Sequence, residues 1–176
     1  SALDFDCEGL DLMAFMPLAD LGDGASLNDI WGWADPETDR EYALVGRTDG
    51  TAFVDVTNPA APRLVGELPL TDAAFANVWR DLKVYADHVF IVADGAGPHG
   101  MQVFDLTRLR GLAGDPVTFE PDATYEGIAS AHNLVIDEEA GMAFAVGSNG
   151  GGETCGGGLH MIDLSTPAAP AFAGCF

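Results

Sequence analysis

Three side chains that can coordinate a cation recur at one position of a repeated sequence. Asp29, Asp81 and His132 each stand at or just before the start of a short apolar segment. Carboxylate oxygens and imidazole nitrogens bind divalent cations, and this mixed set suits calcium or, because of the imidazole, a transition metal. The sequence therefore predicts a metal site if the three segments meet around one axis. The alternative is that each side chain hydrogen-bonds the loop that leads into its own strand.

The apolar segments belong to a unit that occurs three times. Residues 158–176 restate residues 50–68, including a shared Pro-Ala-Ala-Pro turn, and residues 100–109 form a degenerate third copy without that turn. Two apolar runs precede each copy, at residues 29–34 and 42–46, 81–86 and 89–93, and 132–137 and 142–147. Each unit thus has four short segments of strand-like composition, separated by turns rich in Gly, Pro, Asp or Glu.

Four-stranded units in series are typical of a β-propeller, in which each unit is one blade and the blades surround a channel. We expect an all-β fold with three four-stranded antiparallel blades at residues 25–70, 76–126 and 128–176. Residues 1–24 would pack on the propeller or complete another blade. Because propellers have about four to eight blades, three would be a partial ring, completed by the same protein or by another chain. An immunoglobulin-like sandwich would not repeat the same landmarks three times.

The charge balance is strongly acidic, with 28 acidic and 7 basic residues and a formal net charge of -21. A nucleic acid is therefore not an expected partner, because phosphate binding requires basic patches. The acidic surface favours solubility in a salty medium, and some of its carboxylates could bind divalent cations. The longest apolar runs are only of strand length, so we expect neither a signal peptide in this sequence nor direct membrane insertion.

Two of the three cysteines fall in neighbouring segments of the last unit. Cys155 leads into the third segment and Cys175 lies in the fourth, so a disulfide between them is geometrically reasonable and would imply an oxidising compartment. Cys7 is then left over, which suggests a partner elsewhere.

Several long motifs resemble the choice-of-anchor B family. They lie at residues 27–38, 41–57, 78–85, 99–110, 131–136 and 155–165, and the resemblance extends over residues 7–176. It implies a secreted or surface-anchored bacterial protein with LVIVD-type β-propeller repeats. Since the family domain is about twice as long, the chain resembles its amino-terminal half. The family is defined by its repeats and anchoring rather than by a reaction.

Other residues of chemical interest are interpreted as structural. Asp55, Asp105 and Asp163 recur at the end of each third segment and should accept hydrogen bonds from the turns that follow. We expect His99 and His160 to have structural roles and His88 to lie in a solvated turn. Trp31, Trp33, Trp79 and Tyr85 are expected to pack between blades.

The sequence does not contain a complete catalytic motif. The glycine-rich residues 147–158 lack the Gly-Lys-Ser/Thr ending of a phosphate-binding loop, and there is no Gly-x-Ser-x-Gly, His-x-x-x-His or Cys-x-x-Cys. We therefore favour a non-enzymatic binding or structural module at the cell surface, with a protein or glycan ligand. The alternative is a metal-dependent extracellular enzyme that uses Asp29, Asp81 and His132.

Overall fold

The structure is a computed structural model that describes residues 8–22, 26–152 and 155–176. The prediction for Cys7 lies outside these residues. The described part of the chain is all-β and forms three sheets, which confirms the all-β part of the predicted fold class. Within it, no helix combines the length and the apolar character that a bilayer crossing requires.

The first sheet has five strands instead of the predicted four. In spatial order they are β1 (Leu27–Ala34), β2 (Glu41–Arg47), β3 (Gly50–Asp55), β4 (Arg63–Pro69) and β8 (Val117–Thr118). The first four pair antiparallel, whereas β8 pairs parallel with β4. Gly66 permits this pairing, because a Cβ at that position would lie 2.5 Å from the Phe119 ring.

The other two sheets are four-stranded antiparallel meanders. The second contains β5 (Arg80–Tyr85), β6 (His88–Ala93), β7 (Met101–Asp105) and β9 (Ala123–Tyr125). The third contains β10 (Asn133–Asp137), β11 (Met142–Val146), β12 (His160–Asp163) and β13 (Ala171–Cys175). Two short 3-10 helices, Leu18–Leu21 and Leu106–Leu109, complete the regular structure of the described residues.

Local hydrogen bonds explain where the third strand of each sheet ends. The side chains of Asp55, Asp105 and Asp163 each accept a hydrogen bond from the backbone N–H two residues later, at 3.1, 2.9 and 2.7 Å. These contacts turn the chain out of the strand. The predicted structural role of the three aspartates is thus confirmed.

Most of the core lies in two interfaces between neighbouring sheets, and a smaller cluster that includes Leu21 and Val54 covers the other face of the first sheet. The first interface, between the first and second sheets, contains the stacked rings of Phe53 and Phe104, whose centroids are 4.8 Å apart. The second interface, between the second and third sheets, contains smaller residues such as Ala143, Ala145 and Ile162. Because the second sheet is buried on both faces, it fixes the positions of the two others.

The inner edges of the three sheets lie side by side. Strand β1 contacts β5, and β5 contacts β10. The amino-terminal ends of these three strands, which hold the residues of the predicted cation site, are therefore brought towards one another.

Candidate functional site

A polar pocket lies at the amino-terminal ends of the inner strands β1, β5 and β10. Its volume is about 260 Å³, and it is lined by Asn28, Asp29, Trp79, Arg80, Asp81, His132 and Asn133. The three residues predicted from the sequence, Asp29, Asp81 and His132, are all among them. We call this cavity the strand-start pocket.

The two aspartates hydrogen-bond the backbone of the next sheet. Asp29 Oδ2 accepts from the N–H of Leu82 at 2.7 Å, and Asp81 Oδ2 accepts from the N–H of Leu134 at 2.5 Å. Both hydrogen bonds span 53 residues of sequence. The same contact therefore joins the first sheet to the second and the second to the third. The partners are strands of the neighbouring sheet, not the loop before the same strand that sequence reasoning suggested.

An unusual backbone conformation positions Asp29 for this contact. Asp29 has a positive φ of 63°, and the register of β1 with β2 shifts between Leu27 and Ile30. Aspartate tolerates the left-handed region better than most residues, and such a bulge redirects a side chain. The carboxylate is thereby directed towards the second sheet.

Positive charge balances Asp81. Its Oδ1 lies 2.6 Å from the Nζ of Lys83, and this ammonium also lies 4.4 Å from the centre of the Trp31 ring. Asp29 has no ion pair among the described contacts, and burial, reinforced by the charge of Asp81, raises its pKa despite the hydrogen bond from Leu82.

The histidine of the pocket is oriented by a carboxylate. His132 Nδ1 lies 2.9 Å from Asp94 Oδ2, and the His132 ring centre lies 6.5 Å from that of Trp79. His132 and Trp79 are both exposed and both line the pocket, so the two rings form part of its wall. This wall presents an imidazole and an indole to a bound molecule.

Carboxylate oxygens of the predicted cation site already make contacts within the chain. Asp29 and Asp81 each use one carboxylate oxygen on a backbone N–H, and Asp81 uses the other on Lys83. Within residues 8–22, 26–152 and 155–176, no group of three or more His, Cys, Asp or Glu side chains has an arrangement that could hold a metal ion. Divalent-cation binding at Asp29, Asp81 and His132 stays a prediction.

Sequence reasoning missed the aromatic part of the pocket. Trp33 is buried as expected, but Trp79 is 53 % exposed, so the expectation that it packs between sheets is wrong. Trp31 is also largely exposed and packs against Lys83. The loop that precedes β5 fixes the backbone of Trp79, since Asn77 Oδ1 accepts a hydrogen bond from the backbone N–H of Trp79 at 3.0 Å.

The predictions for the other histidines can be compared with their contacts. His99 is fully buried between Gly100 O and Arg80 Nη1, at 2.9 and 3.0 Å, which confirms a structural role. His160 is also buried and lies 2.7 Å from the hydroxyl of Tyr125. His88 is the first residue of β6 and is partly buried, so the expectation that it lies in a solvated turn is wrong; its Nδ1 hydrogen-bonds the carbonyl of Ala86 in the turn before the strand.

The predicted disulfide is present. Cys155 and Cys175 are bonded, with their Cα atoms 5.3 Å apart. The bond ties the loop before β12 to the last strand of the third sheet.

A comparison of the chain with protein-family models and with curated proteins found no match. The resemblance to the choice-of-anchor B family rests on the sequence motifs alone and stays a prediction.

Proposed function

We propose that this chain is part of a β-propeller that acts as a non-enzymatic binding module on the surface of a bacterial cell, and that its strand-start pocket binds a glycan. The observation on which the proposal depends is the exposed Trp79 ring beside the polar groups of a pocket at the inner strand ends. The protein would be secreted or surface-anchored, as the resemblance to the choice-of-anchor B family implies.

Two observations support the propeller. The inner strands of three successive sheets lie side by side, and the hydrogen bond from the Leu82 N–H to Asp29 recurs from the Leu134 N–H to Asp81, again over 53 residues of sequence. Successive blades of a propeller are related by rotation about one axis, so a contact between two blades recurs between the next two. Three blades would need further blades from the same protein or another chain to close the ring.

The chemistry of the pocket supports a sugar ligand over an apolar one. A sugar ring has an apolar face of C–H groups, which packs on an indole, and hydroxyls that need donors and acceptors. Trp79 offers the ring, while Asn28, Asn133 and His132 offer polar groups around it. A volume of about 260 Å³ suits one sugar unit at the end of a longer chain.

The proposal is tested by binding of the intact protein to immobilised glycans, followed by calorimetry with the best ligand. We expect Trp79→Ala to weaken binding by at least about tenfold, the factor that corresponds to the loss of an aromatic contact worth 1.4 kcal/mol. Phe15→Ala is the matched control, because Phe15 is also exposed but lies outside the pocket. If no glycan binds, or if both variants bind as the wild type does, the proposal is wrong.

A metal-dependent extracellular enzyme is the second candidate. It is supported by the presence of Asp29, Asp81 and His132 around one pocket. Elemental analysis of the purified protein, with a broad screen for hydrolase and oxidase activity before and after chelation, tests this candidate. A stoichiometric metal together with a chelator-sensitive activity would favour the enzyme over the binding module.

A further inference from the structure

Unpartnered buried polar atoms occur at one end of the first interface. Among the described residues, the buried side-chain atoms without a hydrogen-bond partner are Thr51 Oγ1, Arg80 Nη2 and Gln102 Oε1. All three residues are almost completely buried, since their exposed fractions are 0, 3 and 1 %. Buried polar groups are rarely left without partners, so three of them in one interface require an explanation.

The three residues approach the same stretch of backbone. Arg80 Nε donates to the carbonyl of Arg47 at 2.5 Å, and Gln102 Nε2 donates to the carbonyl of Pro69 at 2.9 Å. Arg47 and Pro69 are both paired with Gly50, the residue before Thr51. Thr51 points to the same side of β3 as Phe53, which packs on the second sheet. The unpartnered atoms therefore cluster around the start of β3.

The cluster carries a positive charge that no carboxylate contacts directly. The other buried arginine, Arg47, lies 3.0 Å from a carboxylate oxygen of Asp49 and 2.7 Å from one of Glu67. Arg80 has no such ion pair in the described part of the chain, although the sequence contains 28 acidic residues. Burying a charge without a counter-charge is costly. This arrangement indicates an anion from outside the chain.

The neighbouring histidine is a neutral hydrogen-bond acceptor for Arg80 and does not add a second positive charge. Burial, together with the charge of Arg80, lowers the pKa of His99 to about 4, so its ring is neutral at pH 7. Its Nδ1–H donates to Gly100 O, and its Nε2 accepts from Arg80 Nη1. Burial also lowers the pKa of Arg80 to about 10, although the negative charge of Asp49 raises it. The guanidinium is therefore charged at pH 7.

We propose that Arg80 and Thr51 bind a small monovalent inorganic anion such as chloride at this end of the first interface. The Nη2–H of Arg80 and the rotatable hydroxyl of Thr51 supply donors. Gln102 Oε1 needs a donor, which a water molecule retained by the anion supplies. Gln102 also lines an open cavity of about 310 Å³ with Pro69 and Thr71, so the Gln102 side of the site lies next to solvent-accessible space. Arg80 also lines the strand-start pocket, so the two proposed sites share this residue, but the anion does not depend on the proposed glycan.

The test compares thermal unfolding of the intact protein in sodium chloride and in sodium gluconate at equal ionic strength, so that only the anion changes. In mixtures at constant total ionic strength, we expect Tm to rise by about 3 °C for each tenfold increase in chloride above the dissociation constant as chloride replaces gluconate, a larger anion that the site should not bind. Equal Tm values in the two salts would overturn the proposal and would indicate water alone.

Two variants locate the effect. Arg80→Met keeps a long side chain without charge and should lose the chloride dependence of Tm. Arg63→Met is the control, because Arg63 also lacks a carboxylate partner in the described contacts but donates to the carbonyls of Leu112 and Gly114 near the surface. It should keep the dependence. The proposal is wrong if Arg80→Met keeps the full dependence.

A measurement on the wild-type protein covers the case in which Arg80→Met does not fold. The ³⁵Cl NMR line should be broader in the presence of the protein than in buffer, and an excess of bromide should remove the extra width. A line width that the protein does not change would also overturn the proposal.

Discussion

The two interfaces between sheets share one hydrogen bond and differ in the size of the side chains that fill them. Asp29 crosses the first interface and Asp81 crosses the second, each to an equivalent backbone N–H. Phe104 in the first interface and Ile162 in the second hold equivalent positions of the repeated third segment. The repeat therefore preserves the backbone contact between sheets, while the volume of the side chains varies with the neighbouring sheet.

The first interface also contains an ion pair at the end opposite the buried Arg80. Arg110 binds both oxygens of the buried carboxylate of Asp35, at 2.9 and 2.7 Å. Two parallel N–H···O contacts hold a carboxylate more firmly than one. Aromatic packing and this ion pair thus lie between the first two sheets, and we expect the first interface to be the more stable.

Removing an aromatic ring from the first interface should have the largest effect. Phe104→Ala should lower the free energy of unfolding by about 3–5 kcal/mol, because it leaves a cavity beside Phe53 and Phe119. Ile162→Ala, which truncates the equivalent side chain of the second interface to the same methyl group, should cost about 2–3 kcal/mol. Urea denaturation measures both. Similar losses would contradict the stated difference between the interfaces.

Removing the aspartate of the second interface should have the next largest effect. Asp81→Ala leaves the buried N–H of Leu134 and the Lys83 ammonium without their acceptor, so we expect a loss of about 2–3 kcal/mol. Asp81→Asn, which retains an acceptor for Leu134, should lose less. Thermal unfolding with and without a chelator separates this role from cation binding. A chelator-induced decrease in Tm that both Asp81 variants abolish would favour the cation site.

The ion pair of the first interface should show its contribution through pH. The hydrogen bonds from Arg110 hold the pKa of Asp35 well below its usual range, despite the opposing effect of burial. Because the pKa of Asp35 is depressed in the folded protein, the ion pair contributes its full stability above the ordinary pKa of the carboxyl, near pH 4. This contribution is lost as the pH falls towards the folded pKa. Arg110→Gln should therefore destabilise the protein more at pH 7 than at pH 3. A difference between variant and wild type that does not vary with pH would argue against the pair.

The smallest effect is expected at Asp29, and it should have the opposite dependence on pH. Because the pKa of Asp29 is raised in the folded protein, its contribution to stability is complete below the ordinary pKa of the carboxyl. This contribution is lost as the pH rises through the pKa of the folded protein. The amide oxygen of an asparagine side chain would still accept from Leu82, so Asp29→Asn should be at least as stable as the wild type at pH 7, with a gain below about 1 kcal/mol. Its advantage should disappear at pH 3. Urea denaturation at both pH values measures the change, and a loss at pH 7 would contradict it.

Local patterns in the sequence predicted much of the fold. The apolar runs and the aspartates that end each third strand depend on contacts within a few residues, and the disulfide follows from the pairing of adjacent segments. The strand β8 could not be predicted, because two residues, Val117 and Thr118, carry no periodic signal and pair with a strand far away in the sequence.

The candidate site was predicted only in part. The repeat brought Asp29, Asp81 and His132 to one pocket. The recurring hydrogen bond shows, however, that Asn133 and not His132 holds the position equivalent to the two aspartates. Three features were not predicted: the hydrogen-bond partners of these residues, the exposure of Trp79 and the unpaired charge of Arg80. All three depend on contacts between sheets. Such contacts are set by how the sheets pack, which no local pattern encodes.

The proposed function is tested most directly by mapping the ligand-binding surface in solution. In an NMR titration of the intact protein with the glycan that it binds best, we expect the indole N–H signal of Trp79 and the ring signals of His132 to shift with saturation. The indole of Trp33, buried and hydrogen-bonded to Asp87 at 3.0 Å, should stay unchanged and serves as an internal control. Saturable shifts confined to another surface, such as the exposed Val135 and Val146 of the third sheet, would contradict the account.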